Sequence, residues 1–273
     1  MLAKEPSLQS FSDLVAGTRN SDPARTLEES CSLSEVLKAR RSIEIHENLD
    51  PLVQIPSDEV SFADPHPYVS AGAPYGSANP FTLRQEVVLR LLHAQEELDQ
   101  ERPGYKLHIF DGFRPQTVQT YMRQFEHDKY VLEAGLNPAK LSPELKAEFW
   151  EKVDQVWSRP SEDPLMAPPH STAAVVDLSI VDENGKLLNM GSEFDEPTSR
   201  IHPNYYSDLS DPESIQICAN RELLNKVMSD QGFHRIPHEW WHFSYGDQIW
   251  ALLESLKTGE VVVARYGEVE VVA

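Results

Sequence analysis

Apolar residues recur at helical spacing in three stretches of the first half of the chain. Val87, Val88, Leu91, Leu92 and Leu98 follow the three- and four-residue intervals of one helix face. Thr82 and Gln85 stand at capping-box spacing before them, and Pro103-Gly104 closes the element. A second helix is predicted from Pro115, whose fixed φ suits a first turn, with Val118, Met122 and Phe125 on its inner face. A third starts at Ser142-Pro143 and aligns Leu145, Phe149, Val153 and Trp157. Between the first two helices, residues 106–110 alternate as a half-buried strand does.

The second half reads differently. Residues 173–181 are β-branched and strand-like, and Asn184-Gly185 is a hairpin signal. A short helix is expected from Asn220, a good N-cap, to Gly232, a good C-cap residue. An aromatic, strand-like run over residues 238–245 follows, then two β-branched runs at 261–266 and 268–272. With helices early and strands late, an α+β fold is expected rather than a repeating βαβ unit. Residues 1–60, rich in Ser, Pro, Glu and Asp with one short helical candidate near residues 34–41, read as a partly ordered N-terminal extension; residues 61–273 read as the main domain.

Charge narrows the partners. Among 273 residues, 24 Lys+Arg against 44 Asp+Glu give a formal net charge of −20, which repels phosphate backbones and anionic lipid. Neither nucleic acid nor membrane is expected as a partner, and no apolar run approaches the roughly 18 residues that span a bilayer. Cys31 and Cys218 are far apart and lack ligand spacing, and the N-terminus lacks the basic and apolar segments of a secretory signal. A cytoplasmic location is therefore expected.

Candidate chemistry concentrates in Pro237-His238-Glu239-Trp240-Trp241-His242. Its letters match His-Glu-x-x-His, in which two histidines one helical turn apart hold zinc and the glutamate acts as base. That arrangement needs a helix, whereas here a proline precedes and strand-favouring aromatics follow. The helical arrangement also calls for a third ligand downstream, for which Glu254 is the candidate. The other arrangement keeps His242 as ligand and Glu239 as base, and takes His170 and Asp177 as the remaining ligands. Seven residues separate these two, which crosses faces on a regular strand, so His170 is expected on the loop after Pro168-Pro169 and Asp177 on the strand itself. Two histidines and one carboxylate leave the open fourth position of a catalytic zinc.

These motifs carry a family resemblance. The chain resembles the VanX-type D-alanyl-D-alanine dipeptidases, zinc enzymes sharing a fold with bacterial D,D-carboxypeptidases and the signalling domain of hedgehog proteins. The family pattern S-x-H-x-x-G-x-A-x-D corresponds to Pro-Pro-His-Ser-Thr-Ala-Ala-Val-Val-Asp at residues 168–177, which keeps its His and Asp, and the later E-x-W-H is met by Glu239 to His242. Asp111-Gly112-Phe113-Arg114-Pro115 is similar to D-G-[YF]-R-P, and Met190-Gly191-Ser192-Glu193-Phe194-Asp195 is a fourth match in the same order. The resemblance implies an antiparallel sheet with helices packed to one side. It also implies one Zn2+ per chain on His170, Asp177 and His242, with Glu239 as base. Arg114 would stabilise the transition state, Asp195 would meet the substrate ammonium, and the substrate would be a small D,D-dipeptide. A D,D- or L,D-carboxypeptidase of the same fold, or a zinc-containing binding domain without catalysis, are the alternatives. Pro168, Ala173 and Val175 depart from the family's Ser, Gly and Ala; alanine at 173 is unstrained only if its φ is negative.

Overall fold

The computed structural model describes Val36, residues 39–161, Asp163 and residues 166–270. Cys31, and Ser34, Glu35, Leu37 and Lys38 of the helix expected near 34–41, lie outside the described residues; a 3-10 turn at Arg40–Ser42 is what is described there. In chain order follow β1 (Leu52–Gln54), β2 (Ser61–Phe62), the short helix α1 (Pro67–Ser70), β3 (Thr82–Arg84), α2 (Gln85–Glu101), β4 (Lys106–Asp111), α3 (Gln116–Glu133), α4 (Pro143–Val153), β5 (Val175–Val181), α5 (Pro212–Ser229), β6 (His234–Arg235), β7 (His242–Ser244) and α6 (Gln248–Thr258). Five strands form one sheet in the order β2-β4-β5-β7-β6, antiparallel except for the parallel β2–β4 pair, and β1 pairs with β3 apart from it. The α+β class expected from the element order is the class observed.

Alternation sorts the sheet's side chains onto two faces. Leu107, Ile109, Val176, Leu178, Ile180 and Phe243 join one core with Leu91 and Leu98 of α2 and Leu224, Val227 and Met228 of α5. The opposite face presents Asp177 and His242, paired directly across β5 and β7. A bulge in β4 between Ile109 and Asp111 sets Asp111 opposite Asp177. With a regular register Asp111 would turn into the apolar core, so the extra residue delivers a carboxylate to the polar face. A second cluster, including Tyr68 of α1, Val118 and Met122 of α3, Val153 of α4 and Trp157, closes this side.

Several expected boundaries move. Thr82 lies in β3, and α2 starts at Gln85 with non-local acceptors in place of a capping box: the Gln85 N–H donates to Pro51 O and the Glu86 N–H to Asp50 Oδ2, each at 2.8 Å. The helix expected from Asn220 begins at Pro212, capped by Asp211, whose carboxylate accepts the Ser214 N–H at 3.0 Å. Asn220 sits mid-helix and its amide donates to Asn189 O. Trp157 lies beyond the end of α4. Instead of strands, the described part of the C-terminal runs forms a single bridge, Ala264 with Ile45. The helix α6, absent from the sequence reading, is capped by Asp247 and ends at Gly259 with φ +75°. Among the described residues no helix is long and apolar enough to cross a membrane.

Candidate active site

His170 sits on a 3-10 turn, Pro169–Thr172, entered through Pro168. Its Nδ1 lies 2.7 Å from the Gly112 carbonyl, which only accepts, so Nδ1 carries a proton and the ring's other nitrogen faces inward. That Nε2 lies 3.1 Å from Asp177 Oδ2. The carboxylate's other oxygen is 3.2 Å from His242 Nδ1, which is itself 3.4 Å from Glu239 Oε2. Burial, only partly opposed by Asp177, lowers the His242 pKa and favours the neutral ring that can ligate a metal. Burial alone would raise the pKa of Asp177, but His170 and His242 outweigh it and hold the carboxyl well below its ordinary range.

These groups fit a divalent ion. One ligand atom from each of His170, Asp177 and His242 lies within 4.8 Å of the others, and all three residues are buried. Asp177 Oδ1 and His242 Nε2 are buried without a hydrogen-bond partner among the described residues. Electron-pair donors converge here beyond the protons available to separate them, which is the condition that a bound cation relieves.

Around this cluster lies a cleft whose lining includes Arg114, Gln119, Trp157, His170, Asp177, Asp195, Glu239, Trp241 and His242. All six residues singled out from the sequence line it. Arg114 enters it from the loop after β4. Its Nε donates to Asp111 Oδ2 (2.7 Å), Nη1 to Gln119 Oε1 (3.0 Å), and Nη2 to the Tyr68 hydroxyl and to Asp177 Oδ2 (3.1 Å each). The guanidinium also lies over the Tyr68 and Trp157 rings, 4.7 and 4.9 Å from their centroids. Gly112, next to Asp111, leaves no room for a side chain, since a Cβ there would stand 2.8 Å from Pro80 O.

Asp195 has φ +58° and accepts the Tyr68 hydroxyl at 2.7 Å. Burial, reinforced by Asp177 and Glu126 and opposed by Arg114, raises its pKa to about 7. Glu239 occupies the turn between β6 and β7, beside His238 at φ +85°. Trp240 anchors that turn, its Nε1 donating to Ser192 Oγ at 2.8 Å and its N–H to Ile201 O at 3.1 Å. Burial, with Asp177 and Asp195 adding and Arg114 opposing, pushes the Glu239 carboxyl well above its ordinary range.

The His-Glu-x-x-His segment is a turn leading into β7, so the helix required by the other zinc arrangement is not there. His238 stacks edge-on against His202, with ring centroids 5.2 Å apart, and Glu254 pairs with His234 at 2.6 Å. The family departures have structural readings too. Ala173 has φ +55°, the left-handed region in which alanine carries strain. Val175 is fully buried on β5, paired with Ser244, and Pro168 accepts the Ser171 hydroxyl through its carbonyl. Sequence reading missed His66, Tyr68 and Gln119 as parts of this site; Asp111 was visible within its motif, without its bonds.

The comparisons agree with one another. A peptidase M15 family profile described as D-Ala-D-Ala dipeptidase matches residues 73–257. A D-alanyl-D-alanine dipeptidase of Synechocystis sp. is 38% identical over 246 residues, covering 88% of this chain and 100% of that protein. A D-alanyl-D-alanine dipeptidase of Escherichia coli is 32% identical over 141 residues, 51% of this chain and 55% of that protein. One from Enterococcus faecalis is 30% identical over 147 residues, 53% of this chain and 64% of that protein. With a family match across most of the chain, end-to-end coverage of a relative, and a converging His/Asp/His cluster, this chain belongs to the D-Ala-D-Ala dipeptidase family of metallopeptidases.

Proposed function

We propose that the protein hydrolyses D-alanyl-D-alanine or a similar small D,D-dipeptide, with one zinc ion held by His170, Asp177 and His242 and with Glu239 as general base. The observation that carries this reading is the meeting of His170 Nε2, both Asp177 oxygens and His242 Nδ1 beside a buried carboxyl, Glu239. Mixed imidazole and carboxylate donors favour zinc over magnesium or calcium. When bound, the ion supplies Lewis acidity toward the scissile carbonyl and the attacking water.

The chain's own groups do the rest. Glu239, its proton affinity raised by burial, takes the proton from the attacking water and returns it to the leaving amine. Arg114 is held rigidly: among the described residues its bonds occupy four of the five guanidinium hydrogens, which leaves one on Nη1 for a substrate oxygen. A donor held so pre-arranged stabilises growing negative charge with little reorganisation. Asp195, with its pKa near 7, gains a full negative charge when a substrate ammonium settles beside it. A small cleft with an anion for the amino end and a cation over the carbonyl selects short peptides by fixed charge separation.

The test uses zinc-loaded protein and a panel of D,D-, L,D- and L,L-dipeptides with longer muropeptide-like peptides. Turnover confined to D,D-dipeptides is expected. Preferential release of a terminal residue from longer peptides would make the protein a carboxypeptidase, and one bound zinc with no hydrolysis at all would leave a binding domain.

A further inference from the structure

His66 stands outside every motif considered above, yet it is buried and bonded on both ring nitrogens. Its Nδ1 accepts the N–H groups of Tyr68 and Val69 at 3.2 and 3.3 Å and thereby caps α1. Only an unprotonated nitrogen accepts, so the proton sits on Nε2, which lies 3.1 Å from Asp111 Oδ1. The rings of Tyr68, Tyr75 and Phe81 meet the imidazole edge-on at 5.4, 5.6 and 5.2 Å and confine it. Asp111 is fully buried; Tyr75 donates to the same oxygen at 3.0 Å, and the other oxygen receives Arg114 Nε at 2.7 Å.

The imidazole thus staples two arms of the site. One arm is Asp111, which aims Arg114. The other is α1, whose Tyr68 hydroxyl accepts from Arg114 Nη2 and donates to Asp195. We propose that His66 is a positioning residue of the reaction, clipping Asp111 to the Tyr68 turn so that the Arg114 guanidinium and the Asp195 carboxylate keep a fixed separation. The inference rests on the proposed dipeptidase reaction, in which these two groups grip opposite parts of the substrate. Displacement of such a group by about 1 Å costs on the order of 100-fold in rate.

The two ring nitrogens can be separated by substitution. Asparagine places an oxygen near Nδ1 and keeps the cap, but cannot reach Asp111. Glutamine places an amide N–H near Nε2 and keeps the bond to Asp111. The experiment measures kcat and KM for D-alanyl-D-alanine, zinc content, thermal melting, and inhibition by a phosphinate analogue of the dipeptide, for wild type, His66→Asn and His66→Gln. The expected result is a kcat on the order of 100-fold lower in H66N, with zinc at one per chain and melting close to wild type. KM should change less than kcat, and phosphinate affinity should fall with kcat, because Arg114 acts on the tetrahedral state. H66Q should recover most of the loss. Full kcat in H66N, equal damage in H66N and H66Q, or loss of zinc in H66N would each overturn the positioning role. A wild type inactive on every dipeptide would instead remove the reaction reading itself, so the two failures are distinct.

Discussion

Of two neighbouring residues, His238 distinguishes the two possible zinc sites, whereas Glu239 is common to both. The His238 ring lies against His202, while Glu239 lines the cleft 3.4 Å from His242. Replacing Glu239 with Gln is therefore expected to keep zinc bound and to lower kcat by about 10²–10⁴-fold, the range of general-base catalysis. His242→Ala or Asp177→Ala should lose both metal and activity, while His238→Ala should keep its metal; metal analysis of the four purified variants decides this. A different residue-scale cost sits at Ala173, fully buried at φ +55°. A β-branched side chain is a genuine outlier there, so Ala173→Val is expected to lose more than about 2 kcal/mol in a denaturant melt. Ala173→Gly relieves strain of about 1–2 kcal/mol but gives up one buried methyl, about 0.8 kcal/mol, and should stay within about 1 kcal/mol of wild type. The six residues that meet in the cleft could be singled out in the sequence because each lies in a short motif whose chemistry is recognisable locally. His66 and Tyr68 were not, because their partners Asp111 and Asp195 lie 45 and 127 residues away.

At the scale of elements, the same distinction between local and distant partners decides what the sequence reveals. The strands at 106–110 and 173–181 and the helices from Pro115 and Pro143 follow from their own periodicity. The start of α2 does not, because its first donors go to Asp50 and Pro51 on a distant segment. The Asp211-Pro212 start of α5 carried an ordinary cap signal that the later Asn220 obscured. The C-terminal runs have strand propensity, but Ile45 offers Ala264 only one bridge, and propensity without an edge to pair with makes no strand. Two loops or caps give predictions at this scale. Gly112→Ala forces a Cβ against Pro80 O at 2.8 Å and displaces the carbonyl that holds His170 Nδ1, so weaker zinc retention should accompany lower stability. Asp247, the cap of α6, has its pKa raised by burial from 3.8 to about 6. A carboxyl raised in the folded state favours folding fully below pH 4, and that contribution is lost as pH rises through 6. Asp247→Asn keeps a capping oxygen without the charge. Between pH 4 and 7 its stability should gain on wild type by about 3 kcal/mol, read from denaturant melts across that range.

Across the whole molecule, both ends of the described chain converge on the turn that carries His170. Arg84 Nε donates to Thr172 O at 3.0 Å, while its Nη1 and Nη2 reach Asp50 O at 3.1 Å and Glu47 Oε2 at 3.3 Å. From the other end, the Val269 N–H donates to Ser171 O at 2.8 Å. Ile43 packs with Ile249 and Leu252, and Ile55 and Val60 belong to the main core. A chain beginning at residue 61 would lose these three buried side chains, each contributing about 1.5–3 kcal/mol, together with β1 and the distant cap on α2. Measured against a typical domain stability of about 5–15 kcal/mol, that loss is large. The truncated chain is therefore expected to fold poorly, and a melting temperature within a few degrees of the full chain would show the segment to be an appendage. Arg84→Met tests this linkage, because it keeps the apolar stem and removes the guanidinium that ties Thr172 to Asp50, Glu47 and Gly267. If the N-terminal segment steadies the metal turn, that variant should melt lower and also release zinc to a chelator faster than wild type at a temperature where both are folded, and equal release rates would confine the segment's contribution to stability.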